Sequence, residues 1–69
     1  MIRLHRTSYG GAYRYVGSNA TYTAWNERLT YGQVWTVRAD YGDRRETRTS
    51  STLRGIRDII EIMEGEGSA

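Results

Sequence analysis

Every fixed positive side-chain charge in this 69-residue chain is an arginine, and four of the ten, Arg38, Arg44, Arg45 and Arg48, fall in one short span. Arginine presents a planar fork of donors that can meet a phosphate or carboxylate with two bonds at once. A GC-rich genome also favours arginine over lysine, so residue type alone decides nothing. Arginines interspersed with Tyr9, Tyr13, Tyr22 and Tyr31 form the combination that single-strand nucleic-acid binders use. Asp40, Asp43 and Glu46 interrupt the cluster and the net charge is only +2, which predicts weak, salt-sensitive binding. The charge is also uneven. Residues 1–57 balance to +6 and residues 58–69 to −4, so the acidic end can neutralise the basic body, within the chain or between copies, as readily as the body can bind an anion.

Catalytic chemistry has little to work with. His5 is the only histidine and there is no cysteine, which removes disulfides, a thiol nucleophile and the usual zinc clusters. Ser8 or Ser18 near His5 in sequence does not make a triad, and Asp40 and Asp43 flank a turn whose chemistry already accounts for them. Gly10-Gly11 lacks the lysine and the helix start of a phosphate loop and reads as a turn. The triplet at Asn19, Ala20 and Thr21 matches a glycosylation acceptor by chance if the chain is not secreted. No enzyme, metal, cofactor or small-molecule substrate is expected, since so short a chain has little room for a pocket.

The elements that must position these residues are mostly strands. Residues 29–41 read as a turn feeding a long strand: from Gln33 onward Trp35, Val37, Ala39 and Tyr41 share one face, Thr36, Arg38 and Asp40 the other. Gly32 suits the sharp entry, and Tyr41-Gly42-Asp43 suits the following hairpin tip. Ile2 and Leu4 alternate with Arg3 and His5 in a short first strand ending at Ser8-Tyr9-Gly10-Gly11. Residues 12–16 form a second strand closed by a turn at 17–19. Residues 21–25 form a strand or an extended loop, and Asn26-Glu27-Arg28 turns the chain. Residues 44–50 have no apolar face and read as a charged edge strand, a device that discourages pairing between copies. Residues 52–64 are ambiguous. Leu53, Ile56, Ile60 and Met63 recur at helical spacing, Ser51 can cap, and Arg54 with Asp58 and Arg57 with Glu61 stand four apart. Yet the isoleucines suit a strand and Gly55 sits awkwardly in a helix. The expected core comprises Ile2, Leu4, Tyr15, Val16, Trp25, Leu29, Val34, Trp35, Val37, Leu53, Ile56, Ile59, Ile60, Ile62 and Met63. Residues 1–63 then form one small β domain and residues 64–69 an acidic flexible tail.

Two resemblances bear on the fold. Tyr13-Arg14-Tyr15-Val16-Gly17 followed by Leu29-Thr30-Tyr31-Gly32-Gln33-Val34-Trp35-Thr36-Val37 resembles small phage and bacterial proteins with a Leu-Thr-x-Gly-x-x-Tyr-x-Val motif, over about half the chain. Here Trp35 replaces the usual tyrosine, the connection at residues 18–28 is longer, and the returning arm is rich in arginine rather than acid. That resemblance implies a mainly β, SH3-like barrel of about five short strands closed by residues 58–63, in a phage setting, with no catalytic residues. Trp35-Thr36-Val37-Arg38, the arm at residues 44–48 and residues 53–63 also resemble the DNA-binding domains at the N-termini of phage integrases. This implies the alternative, an α+β fold with a three- or four-stranded antiparallel sheet and one C-terminal helix over 52–64.

Eight aromatic residues exceed what a minimal core encloses, and Tyr, Trp and Arg dominate interface hot spots. The leading expectation is therefore a non-enzymatic protein that binds a virion component, a host target or a copy of itself through Tyr22, Trp25, Arg44, Arg45 and Arg48. Nucleic-acid binding through the Arg-rich hairpin is the alternative. The first residues carry no apolar run after their charges, and no stretch approaches the roughly 20 apolar residues of a membrane span. A cytoplasmic or virion location without secretion or membrane contact is the expectation.

Overall fold

The computed structural model describes residues 2–7 and 11–68, without the side chains of residues 66–68. The turn expected at residues 8–11 falls largely on Ser8, Tyr9 and Gly10, which lie outside the described residues. Five strands, β1 (His5–Arg6), β2 (Tyr13–Val16), β3 (Thr21–Leu29), β4 (Gly32–Asp40) and β5 (Arg45–Ser50), form an antiparallel meander in sequence order, followed by α1 (Leu53–Ser68). β1 and β5 are opposite edges of an open sheet, so the barrel is not closed. The reason is α1: the segment expected to supply a closing strand is helical, and the α+β alternative describes the fold, with five strands rather than three or four.

Local chemistry explains most boundaries. β3 continues straight through Asn26-Glu27-Arg28, and the chain reverses only at Thr30-Tyr31, where Leu29 pairs with Gly32 at φ 148°. The second hairpin closes as expected at Gly42, φ 97°, whose N–H donates to Asp40 Oδ1 while Tyr41 N–H donates to the Arg44 carbonyl. Thr52, rather than Ser51, caps the helix, its Oγ1 accepting from Gly55 N–H at 3.0 Å. Gly55 is tolerated there because a Cβ at this position would run into the Ser50 hydroxyl, so its absence lets the first turn close down on the end of β5.

One sheet face packs against the helix. Tyr22, Ala24, Val37 and Ala39 meet Ile56, Ile60 and Met63, with Ile2 and Ala20 completing the buried core. Each large helix residue so buried contributes about 2 kcal/mol. Alanines at 20, 24 and 39 keep the sheet low where the helix lies. Ala24 also lets Tyr13 and Trp35, on flanking strands, meet across it at 5.9 Å. Val16 and Ile62, expected inside, are 68% and 56% exposed, and Trp25, Leu29 and Val34 lie outside the buried cluster.

The far end of the helix is fixed by Glu64. Its carboxylate accepts from Ser18 N–H at 2.7 Å, Asn19 N–H at 3.2 Å and Tyr22 Oη at 2.7 Å, and its carbonyl accepts from Asn19 Nδ2 at 2.9 Å. Gly17 is part of this fit, since a Cβ there would strike the carboxylate. Residue 64 therefore anchors the fold instead of opening a free tail, and the helix runs on to Ser68. Burial raises the Glu64 pKa, but the bonds from Tyr22, Ser18 and Asn19 outweigh it and hold the group below its usual value of 4.5. Burial, then the bond and charge of Glu64, push the Tyr22 hydroxyl up. Because the folded Glu64 titrates below the unfolded one, its stabilisation is complete above the unfolded value and is lost as pH falls through the folded value. Glu64→Gln should cost about 2 kcal/mol in urea unfolding at neutral pH. That difference from the unmodified protein should vanish in acid, where both side chains are neutral.

Candidate functional site

Among the described residues no element covers the second sheet face, and its composition differs from that of the first. The strand registers lay its side chains out in rows. His5, Arg14, Thr23, Arg38 and Thr47 are successive cross-strand partners, one from each of the five strands. Val16, Thr21, Asp40 and Arg45 form the next row, and Trp25, Thr36 and Thr49 lie on the other side. The first row contains no acid. Arg14 and Arg38 are exposed and make no ion pair among the described residues. With Thr7, Thr21, Thr23 and Asp40 they line a shallow depression of about 540 Å³.

The hairpin arginines are placed differently from the single cluster their spacing suggests. Arg45 lies on the uncovered face, 3.5 Å from Asp40. Arg44 and Arg48 are held by Glu46 at 3.5 and 3.7 Å, and Arg44 stacks 4.4 Å over the Tyr41 ring. Glu46 and Arg48 alternate onto the helix side of β5, opposite Ala39 and Val37. The three arginines thus occupy two faces and each has an acidic neighbour.

The aromatics divide just as clearly. Tyr22 is fully buried (0% exposed) and bonded to Glu64, so it belongs to the core and offers a partner no surface, a correction to its expected contact role. Its polar tip is satisfied by a residue 42 positions away, which sequence spacing does not reveal. Tyr13, Tyr15, Trp35 and Tyr41 pack against the same core. The aromatic surplus that pointed to a protein partner shrinks accordingly. Trp25, half-buried, is the aromatic on the uncovered face among the described residues, and Tyr31 stands 89% exposed at the β3–β4 turn. Tyr13 and Tyr22 therefore do not form the stacking surface that single-strand binding requires.

Arg14 and Thr23 escape sequence reasoning because they enter the site from separate strands. The signal was present in the two hairpin turns: fixing Leu29 opposite Gly32 and Tyr41 opposite Arg44 aligns Thr23, Arg38 and Thr47. No protein-family model, curated protein or solved structure matches this chain.

Beneath this face, Thr36 Oγ1 is buried without a hydrogen-bond partner, between Trp25 and Thr49 in its row. A buried hydroxyl that forms no bond carries its desolvation cost uncompensated. Thr36→Val should therefore leave stability unchanged or raise it by up to about 1 kcal/mol. A loss of that size in urea unfolding would instead show that the hydroxyl is satisfied.

Proposed function

We propose that the uncovered sheet face binds duplex nucleic acid, with Arg14 and Arg38 on the phosphates and Thr23 between them toward the base edges. The supporting observation is the acid-free row across the sheet. Arg14 and Arg38 are two strand intervals apart, about 10 Å at ordinary strand spacing. A B-DNA major groove is about 12 Å wide and admits β-ribbons, so strands lying along the groove would carry these guanidinium groups to its two rims. Threonine suits the centre, since its hydroxyl can donate or accept and its methyl can meet that of thymine. Among the described residues Trp25 is the one aromatic on this face, fewer than the successive stacking rings a single strand uses, which favours a duplex.

The resemblance to integrase N-terminal domains supports the same reading, because there a sheet backed by a C-terminal helix places its arginines in a DNA groove. Of the hairpin cluster Arg38, Arg44, Arg45 and Arg48, this contact set keeps Arg38, adds Arg14, and leaves out the acid-paired Arg44, Arg45 and Arg48. Phosphate contacts position a protein and make its affinity salt-dependent, whereas base-edge contacts give sequence preference. With few phosphate contacts and a net charge of +2, weak binding that added salt abolishes follows.

Fluorescence anisotropy with a short labelled duplex at low salt tests this directly. Arg14→Gln with Arg38→Gln should weaken binding at least about tenfold and reduce the salt slope by about two. Arg54→Gln with Arg57→Gln, on the helix, should change neither quantity. Absence of duplex binding by the unmodified protein, or equal loss in both double variants, would overturn the assignment.

A further inference from the structure

We infer that β5 is a self-pairing edge, joining two copies about a two-fold axis at Thr47 into one continuous sheet. Among the described residues β5 has no neighbour on its outer side, and its six residues make it the longer of the two edges, β1 having two. The Tyr41 N–H bond to the Arg44 carbonyl fixes the hydrogen-bonding phase between β4 and β5. Main-chain groups alternate direction along a strand, so Glu46, Arg48 and Ser50 bond inward to Ala39, Val37 and Trp35. The main-chain groups of Arg45, Thr47 and Thr49 consequently point outward.

Antiparallel pairing that sets these outward-bonding residues against one another can centre on any residue from 45 to 49. A centre at Arg45, Glu46 or Arg48 sets two like charges directly opposite, which is destabilising. A centre at Thr49 slides the strands apart and pairs no charges. A centre at Thr47 pairs Thr47 with Thr47 of the second copy and Arg45 with Thr49, each pair exchanging both N–H groups for carbonyls. In the same register Glu46 faces Arg48 of the second copy, and Arg48 faces Glu46, in the closely spaced pairs where Cα atoms stand about 4.5 Å apart. The Arg48 and Glu46 side chains are 40% and 38% exposed and already lie 3.7 Å apart within one copy, so both are placed to share partners across the junction. The charges that block indiscriminate edge pairing here select a single register.

Pairing in the sheet plane puts both helices on one side and both uncovered faces on the other. The row from His5 to Thr47 then continues into its symmetry mate. The pairing does not depend on nucleic-acid binding, and its failure would leave that reading standing.

The test is light scattering on the full chain without nucleic acid, across a concentration series, with Glu46→Arg and Arg48→Glu studied separately and mixed. The unmodified protein should dimerise, and each single variant should pair roughly tenfold or more weakly because like charges then face each other. Mixing the two variants should restore the dimer, since positions 46 and 48 are then both basic in one chain and both acidic in the chain that faces it. Amide exchange at Arg45, Thr47 and Thr49 of the unmodified protein should slow as concentration rises, a readout that needs no variant to fold. A strict monomer with unchanged exchange at these amides, single variants that dimerise as well as the parent, or folded variants that stay monomeric when mixed would overturn the inference.

Discussion

The Glu64 carboxylate, gripped by the main chain of Ser18 and Asn19 and by Tyr22 Oη, ties the far end of the helix to the loop between β2 and β3. The near end is fixed by covalent continuity with β5 and by the Thr52 cap. A helix held at both ends must cross the sheet diagonally on one face, and the alanines beneath it supply the clearance. The helix does little to stabilise itself. Arg54 and Arg57 stand near its start and Glu61 and Glu64 toward its end, the reverse of what its dipole favours. Among the described residues, the helical-spacing pairs Arg54 with Asp58 and Arg57 with Glu61 are also not closed as ion pairs. Packing of Ile56, Ile60 and Met63, together with the Glu64 anchor, therefore holds the helix in place.

Covering one face defines the other. The two sheet faces draw on alternate residues of the same strands, so residues committed to the helix side are separated by residues of the uncovered face, most of them polar, with Val16 and Trp25 as exceptions. Val37 and Ala39 bracket Arg38, and Tyr13 and Tyr15 bracket Arg14. The row containing Arg14 and Arg38 is thus the counterpart of the core, and a one-residue register slip in β2 or β4 would exchange them. The edge at β5 obeys the same alternation a quarter-turn away, where inward-bonding residues carry the charges and outward-bonding residues are mostly threonine.

Much of this was legible in the sequence. The face of Trp35, Val37, Ala39 and Tyr41, the glycines at both hairpins, the charged edge strand and the helical spacing of Leu53, Ile56, Ile60 and Met63 are all local patterns. Residues 53–68 illustrate where local pattern fails, since stiff isoleucines suit either state and a surface provided by distant strands selects the helix. Val16 and Ile62 are apolar yet exposed, while Ala20, Ala24 and Ala39 are buried because they are small, a quality that apolar counting undervalues. Tyr22 looked like a contact residue because the partner of its hydroxyl comes from the other end of the chain. The candidate site was dispersed for a related reason: its row takes one residue from each strand, and only the complete set of registers aligns Arg14 with Arg38.

The central claim is that chemistry lies on the face turned away from the helix. Backbone amide shifts of isotopically labelled protein, followed while a short duplex is added at low salt, test it most directly. The account predicts perturbations concentrated at His5, Arg14, Thr23, Arg38 and Thr47, with the exposed helix positions Arg54, Arg57 and Glu61 unmoved. Perturbations centred on the helix, or none at saturating duplex, would contradict it.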